Sequence, residues 1–293
     1  MWILFALSSA ICSAGVSFSL KRAVEHGGAV ISTVAFRALA GLLLFAAMAM
    51  AGTWPTLTPE YWRAVGMVMV PEVLGMLFLT LALRAGELSM VQPLSGLLPP
   101  LVMIGGFLFL GEVPSLPAAA GVGLVTAGVY CIGLRPGTSA LEPIRALARS
   151  RASWLMVASV AAWSLATLVH RVGVQAVGAL PWAVTLAAGS ALALSAAIPF
   201  LAWRTGEIGL PDEARPWGLA VLLAGVAYAL MQAGLQTAFG MAQAGYVAAV
   251  SSTSILIATL LGIVVLRERA AARTRAAGAV LVCGGAAMIA AFG

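Results

Sequence analysis

The residue with the clearest chemical potential is Glu72, which stands near the middle of an apolar run between Tyr61 and Leu83. If that run crosses a bilayer, a charged carboxylate there costs roughly 2.5–3.5 kcal/mol even on the lenient insertion scale. Water, a charged partner or a proton must offset that cost. Pro71 precedes the acid and removes a backbone donor, which leaves a carbonyl free nearby. We interpret the combination as a polar pocket; the alternative is a permanent ion pair with an arginine.

A second set of polar side chains lies on one face of a predicted helix. Tyr228, Gln232 and Gln236 are spaced four residues apart, so a helix places them on the same side. A phenol and two amides facing lipid would be costly, so this stripe should face the interior of the protein. We interpret it as the hydrogen-bonding wall of a cavity. The alternative is a set of interhelical contacts, worth about 0.6 kcal/mol each on average.

Arg37 is a charged residue about two turns inside a predicted transmembrane helix, so it could pair with a buried acid. Three interpretations stay open for its guanidinium group. It binds an anionic group of a ligand, it pairs with Glu72, or its long side chain extends to the loop side of the helix. The structural interpretations, pairing or extension to the loop, are preferred over ligand contact.

Four further side chains are weaker candidates. Trp163 and Tyr130 are suited to stacking on a ring or an organic cation, although a packing role suits either one alone. Gln92 stands before a proline in a segment for which close packing and bending are favoured. His170 could shuttle protons, but its place near a predicted helix end favours an interfacial residue.

The composition indicates that lipid is the solvent of this chain. Of its 293 residues, 62% are hydrophobic and 9% are charged, whereas soluble domains carry about 25% charged residues. The excess of basic residues, +6 in net charge, lies in short loops and does not suggest a nucleic-acid partner. Cys12, Cys131 and Cys283 fall in apolar runs and are expected to be free thiols. No nucleophile–base set, metal cluster or nucleotide motif is visible, so we expect neither an enzyme nor a cofactor.

Ten apolar runs are long enough to span a bilayer, given the roughly 20 residues that a helix needs. In lipid, a spanning run must form either a helix or a strand of a closed barrel. Strand alternation is absent from these runs, so a barrel is excluded and helices are expected. The predicted fold is therefore an all-α integral membrane protein with ten transmembrane helices. The runs are placed near residues 2–20, 30–51, 61–83, 87–110, 116–134, 154–172, 181–203, 217–239, 243–266 and 273–292.

The ten predicted helices fall into two similar halves. The basic linker 135–153 separates a first repeat, 1–134, from a second, 154–293. The segment 82–112 aligns without gaps on 238–268, which makes Tyr228 the counterpart of Glu72. An odd number of helices in each repeat requires the second repeat to be inverted in the membrane. Inverted repeats around a midplane site are a recurring transporter plan.

Five segments are distinctive in their order and spacing, namely Ala35-Phe36-Arg37-Ala38-Leu39-Ala40, Ala82-Leu83-Arg84-Ala85-Gly86-Glu87-Leu88-Ser89, Leu98-Pro99-Pro100, Leu110-Gly111-Glu112 and Ala162-Trp163-Ser164. Taken together, they resemble the EamA type of the drug/metabolite transporter superfamily. Two departures from the family pattern are Cys12-Ser13, where a Trp-Gly pair is usual, and Val113, where a basic residue is common.

This resemblance implies a permease of the cell (inner) membrane that exports a small metabolite, such as an amino acid or organic cation. Alternating access would proceed around a cavity between helices 1, 3, 4, 6, 8 and 9. Glu72 would exchange a proton for substrate or counter a cationic substrate, and Glu72→Gln would abolish proton-coupled transport while leaving folding intact. A flippase or scramblase for lipid-linked molecules is the alternative function, and both monomer and homodimer stay open. The expected substrate-binding residues are Glu72, Arg37, Tyr228, Gln232, Gln236, Trp163, Gln92 and Tyr130.

The distribution of basic residues predicts the orientation of the chain. Lys and Arg favour cytoplasmic loops, and they concentrate after the odd-numbered predicted helices. That bias places both termini outside, whereas EamA-type proteins usually have both termini in the cytoplasm. We favour the charges, because the loops are short enough for the rule to apply. The basic residues after the even-numbered helices or at the start of helix 3 are only Arg171 and Arg63. Those after the odd-numbered helices are Lys21, Arg22, Arg84, Arg135, Arg145, Arg149, Arg151, Arg204, Arg215, Arg267, Arg269, Arg273 and Arg275.

A reporter fused to the C-terminus tests this orientation. We expect a fused alkaline phosphatase to be active and a fused fluorescent protein to stay dark, because only the phosphatase matures outside the cytoplasm. Bright cytoplasmic fluorescence would contradict the orientation that the charges predict.

Overall fold

The computed structural model is all-helical over the residues that it describes, which are 1–85, 92–133, 150–205, 211, 213–255, 257 and 272–292. This confirms the predicted fold class. Most of the predicted basic linker, residues 135–149, lies outside the described residues. The described residues form ten α-helices, which are α1 Trp2–His26, α2 Ala29–Ala51, α3 Pro59–Ala85, α4 Leu98–Leu110, α5 Leu116–Gly133, α6 Arg151–Val177, α7 Ala179–Thr205, α8 Ala214–Met241, α9 Ala244–Ser251 and α10 Ala272–Phe292, and a 3₁₀ helix, Gln92–Leu97, precedes α4.

The lengths and apolar character of these helices fit a protein that crosses the membrane several times. Six of the described helices contain a span long and apolar enough to cross a bilayer, namely α1, α2, α3, α6, α7 and α8. Three shorter apolar segments, Leu94–Leu110, Leu116–Cys131 and Val280–Ile289, belong to the remaining predicted spans. The chain is therefore a multi-pass membrane protein.

Two of the predicted helices differ from the observed ones for identifiable reasons. The sequence-based range 154–172 becomes the longer α6, which begins where the Ser150 side chain accepts a hydrogen bond from the Ser153 backbone N–H. It ends at Gly178, whose φ of +88° suits glycine. Of the predicted helix 87–110, the described part, from Gln92 on, is a 3₁₀ helix followed by α4. Pro99 and Pro100 occupy the first turn of α4, where a missing N–H is tolerated.

The packing partners of the helices follow a two-fold pattern. In the first half, α2, α4 and α5 pack against α7, α9 and α10, which are their own counterparts five helices later. The other two helices of the first half exchange partners: α1 packs against α8, which is the counterpart of α3, and α3 packs against α6, which is the counterpart of α1. Such an exchange is expected when a two-fold axis relates two halves. The exact repeat boundaries, at residues 134 and 154, stay a prediction.

Glycines bring α5 and α10 into backbone contact. A Cβ placed on Gly121 would lie 2.8 Å from the carbonyl oxygen of Gly285, and one on Gly128 would lie 2.6 Å from that of Gly278. The contacts run in opposite directions along the two helices, so α10 is antiparallel to its counterpart α5. Small residues allow this close approach, which is a common basis of helix association in membranes.

Gly128→Ala tests the importance of this contact for stability. The new methyl group would meet backbone atoms, which cannot turn away, so we expect a loss of roughly 1–3 kcal/mol, typical of overpacking. Gly123→Ala is the matched control, because a Cβ on Gly123 meets nothing within 4 Å. Thermal unfolding of the purified proteins measures both. Equal melting temperatures for the two variants would show that α5 and α10 are not held by this contact.

Candidate functional site

A cavity of about 190 Å³ lies between helices of the two halves. Side chains from α1, α3, α6, α8 and α9 line it, together with residues around the start of α4. These are the six helices expected from the sequence, and α2 adds Arg37. The space is large enough for several water molecules or a small metabolite.

An ion pair between Arg37 and Glu72 is the electrostatic centre of this cavity. The Arg37 Nη2 lies 2.7 Å from Glu72 Oε1, and the two residues are only 1% and 3% exposed. Arg37 also donates to the hydroxyl of Ser190 on α7 and lies over the ring of Tyr228, 4.9 Å from its centre. Of the three interpretations of Arg37, the structure shows pairing with the acid. Both residues line the cavity, so pocket and ion pair coexist at Glu72.

The polar stripe of α8 forms a chain of hydrogen bonds that ends on the acid. Gln236 Nε2 donates to Gln232 Oε1 at 2.8 Å, and Gln232 Nε2 donates to the Tyr228 hydroxyl at 2.6 Å. That hydroxyl donates to Glu72 Oε1 at 3.4 Å. Tyr228 and Gln232 line the cavity, whereas Gln236 is fully buried behind them. Cavity wall and interhelical contact are thus both present along the stripe.

His170 belongs to the same cluster, and its interpretation as an interfacial residue is wrong. Its Nε2 lies 3.8 Å from Glu72 Oε2, and the residue is 5% exposed. The rings of Trp182 and Phe239 lie 6.5 and 5.9 Å from the imidazole ring. The error arose because α6 continues to Val177, about two turns beyond His170.

The remaining predicted residues divide between the cavity and other places. Trp163 lines the cavity, and its indole ring occupies the space that a side chain on Gly75 would fill, since a Cβ there would lie 2.6 Å from Cδ1. Tyr130 lies in α5, apart from the residues that line this cavity in the described chain. Gln92 begins the 3₁₀ helix, and its side chain lies outside the described part of the structure.

A stripe of hydroxyl groups on α1 completes the wall and was missed from the sequence. Ser9, Ser13 and Ser17 line the cavity and are spaced four residues apart, the same spacing that revealed the stripe on α8. Ser251, Ser252 and Ser254 line it from α9 and the turn that follows. Of the charges that line the described cavity, Arg37 and Glu72 cancel each other. The site thus offers polar but uncharged groups around one closed ion pair.

The arrangement suits ligand binding more than covalent chemistry. Among the described residues no group of three His, Cys, Asp or Glu side chains is placed to hold a metal ion. The carboxylate of Glu72 is engaged by Arg37 and Tyr228. The geometry supplies an enclosed polar cavity with contacts from both halves of the chain.

Comparison with known proteins finds a family match for the N-terminal part of the chain and a structural match for nearly all of it. Residues 1–134 match the model of the EamA-like transporter family. A crystal structure that shares 17% identity covers 98% of this chain and 95% of its own, with a TM-score of 0.74, and this likeness shows the fold alone. The curated protein sequences give no match.

A double-mutant cycle on Arg37 and Glu72 tests how tightly the two charges are coupled. Arg37→Gln or Glu72→Gln alone leaves the other charge buried, so we expect each to cost roughly 3–5 kcal/mol, and the double variant to recover much of that loss. This revises the expectation from the sequence that Glu72→Gln leaves folding intact. Unfolding in detergent provides the measurement.

Glu60→Gln provides the control for that cycle. Glu60 also pairs with an arginine, Arg63, at 3.2 Å, but both side chains are more than 60% exposed, so its removal should change stability little. If the losses from the two single variants simply add in the double variant, the buried charges do not depend on each other.

Proposed function

We propose that this chain, whose residues 1–134 match the model of the EamA-like transporter family, is a membrane transporter of small substrates that works by alternating access. Its substrate would be a small metabolite, and the cavity described above would be its binding site. Export across the inner membrane is the direction and place that we propose, from the usual role of EamA-type proteins. The family consists of transporters, which fits the expectation that the chain is not an enzyme.

One observation carries the proposal: the ion pair draws its contacts from both halves of the chain. Arg37 and Glu72 come from the first half, whereas Ser190, Tyr228 and His170 come from the second. When one half moves relative to the other, these contacts must break or be remade. The polar cluster is thus a natural place for a structural change to couple to substrate binding.

The location of the charges favours a small-molecule transporter over the alternative, a flippase or scramblase. A lipid translocator needs a polar groove that opens sideways to the bilayer, so that a headgroup can pass while its tails stay in lipid. Arg37 and Glu72 are almost fully enclosed, and the side chains that face outward from α1 and α3 include Leu4, Ile11 and Val70, which are apolar. A fluorescent-lipid assay in vesicles should therefore show no lipid transfer.

The role proposed for Glu72 takes a specific form in this structure. To accept a proton, the carboxylate of Glu72 must first release Arg37, which now lies 2.7 Å away. Arg37 would then remain held by Ser190 and by the ring of Tyr228. Proton exchange at Glu72 would accordingly require α2 and α3 to shift relative to each other.

Labelling of single cysteines tests alternating access before any substrate is known. In a variant with Cys12, Cys131 and Cys283 replaced by alanine, Ser13→Cys puts one thiol in the cavity wall. We expect a membrane-impermeant thiol reagent to reach it from either side of the membrane, in right-side-out and in inside-out vesicles. The physical reason is that the cavity opens to each side in turn, and the reagent requires a hydrated thiolate.

Ile11→Cys is the control for this experiment. Ile11 lies on the same helix and is 60% exposed on the outer surface of the bundle, where lipid excludes the reagent. It should stay unlabelled from both sides. Labelling of Ser13→Cys from one side only, under all conditions, would contradict alternating access.

A further inference from the structure

Three polar atoms of residues that line the cavity have no hydrogen-bond partner within the described part of the chain. They are Nε of Arg37, Nδ1 of His170 and Oγ of Ser251, and all three are buried. Buried polar groups in folded proteins are nearly always paired, so an unpaired one on a residue that lines a cavity marks a place for water or a ligand. No other step of the proposed transport function uses any of these three atoms.

The position of Glu72 determines which nitrogen of His170 carries the proton. Nε2 lies 3.8 Å from the carboxylate oxygen Oε2. A bare lone pair on Nε2 would face that negative charge and be repelled, whereas an N–H group there is attracted. Because Arg37 already neutralises Glu72, a second proton on the ring would bury an uncompensated positive charge. The imidazole is therefore neutral with its proton on Nε2, and Nδ1 is left as a hydrogen-bond acceptor without a partner.

The charge balance of the cavity narrows the kind of ligand further. The guanidinium of Arg37 is shared between Glu72 and Ser190, and Glu72 Oε1 is shared between Arg37 and Tyr228. The other polar groups that line the described cavity are hydroxyl, amide and imidazole groups. A ligand with a net charge would bring that charge into an enclosed site without a free counter-ion, which is unfavourable.

From these observations we propose that the substrate carries no net charge and donates a hydrogen bond to Nδ1 of His170. The hydroxyl of Ser251 provides a second contact to the same molecule. The substrate would present an N–H or O–H group, as amides and alcohols do, while the rings of Trp163 and Phe239 contact its apolar part. This inference rests on the proposed function, because it names the substrate class of the same cavity.

Nuclear magnetic resonance of the imidazole tests, without a substrate, which nitrogen of His170 carries the proton. The chain has 2 histidines, so His26→Gln leaves His170 as the source of every histidine signal. In protein labelled with ¹⁵N-histidine, we expect the neutral form with the proton on Nε2 near neutral pH. Finding the proton on Nδ1, or on both nitrogens, would overturn the proposal.

Small probes of different charge test, in the same labelled protein, whether the cavity prefers an uncharged molecule that donates a hydrogen bond. Acetamide is uncharged and donates N–H; N,N-dimethylacetamide is uncharged without a donor; acetate is an anion; tetramethylammonium is a cation. Each is smaller than the cavity, so size excludes none of them. We expect acetamide to shift the Nδ1 signal and N,N-dimethylacetamide to bind roughly fivefold more weakly, the effect of one lost hydrogen bond.

Ser251→Ala and Ser8→Ala form a matched pair for this experiment. Ser251→Ala should weaken the acetamide response several-fold, whereas Ser8→Ala, which removes an exposed hydroxyl bonded to the Phe5 carbonyl, should leave it unchanged. No response to acetamide, or an equal response to acetate or tetramethylammonium, would overturn the inference. The labelling of Ser13→Cys is an independent test. If acetamide binds as expected but Ser13→Cys is labelled from one side only, alternating access is refuted and the proposed binding site is not.

Discussion

The burial of an arginine and a glutamate together, inside a membrane protein, is the constraint on which the rest of the site depends. Removing two ions from water costs several kcal/mol for each ion, and their attraction offsets this only with good geometry and further hydrogen bonds. Ser190, Tyr228 and His170 surround the pair and supply these additional contacts. Because they stand on three helices of the second half, stabilising the pair and joining the two halves are the same requirement.

The alignment of the two predicted repeats makes Tyr228 the counterpart of Glu72, and in the structure the two residues are in hydrogen-bond contact. The tyrosine hydroxyl lies 3.4 Å from the carboxylate, which places both residues close to the two-fold axis implied by the helix pairing. An exact repeat would put two acids or two phenols at this point, and two acids there would repel each other. The divergence of the two copies allows one acid to be held by a hydrogen-bond donor from its counterpart.

Much of the site could be predicted because polar residues are rare within the apolar runs and therefore informative. The acid, its arginine and the stripe of α8 all stood out in this way. His170 was wrongly assigned to the interface because Arg171 beside it looked like a helix end; in the structure α6 continues to Val177, and Arg171 pairs with Glu112. Ser190 was missed because a lone serine in an apolar helix has no periodic signal, and only the tertiary structure brings it to Arg37.

The self-cancelling ion pair has an electrical consequence. Moving one elementary charge through a membrane potential is worth about 2.3 kcal/mol per 100 mV. The empty site holds one positive and one negative charge at nearly the same depth, since the two groups are 2.7 Å apart. In the alternating-access cycle proposed above, the return of this site would therefore carry no net charge from the pair across the membrane field. The membrane potential would then neither drive nor oppose that step through these two charges.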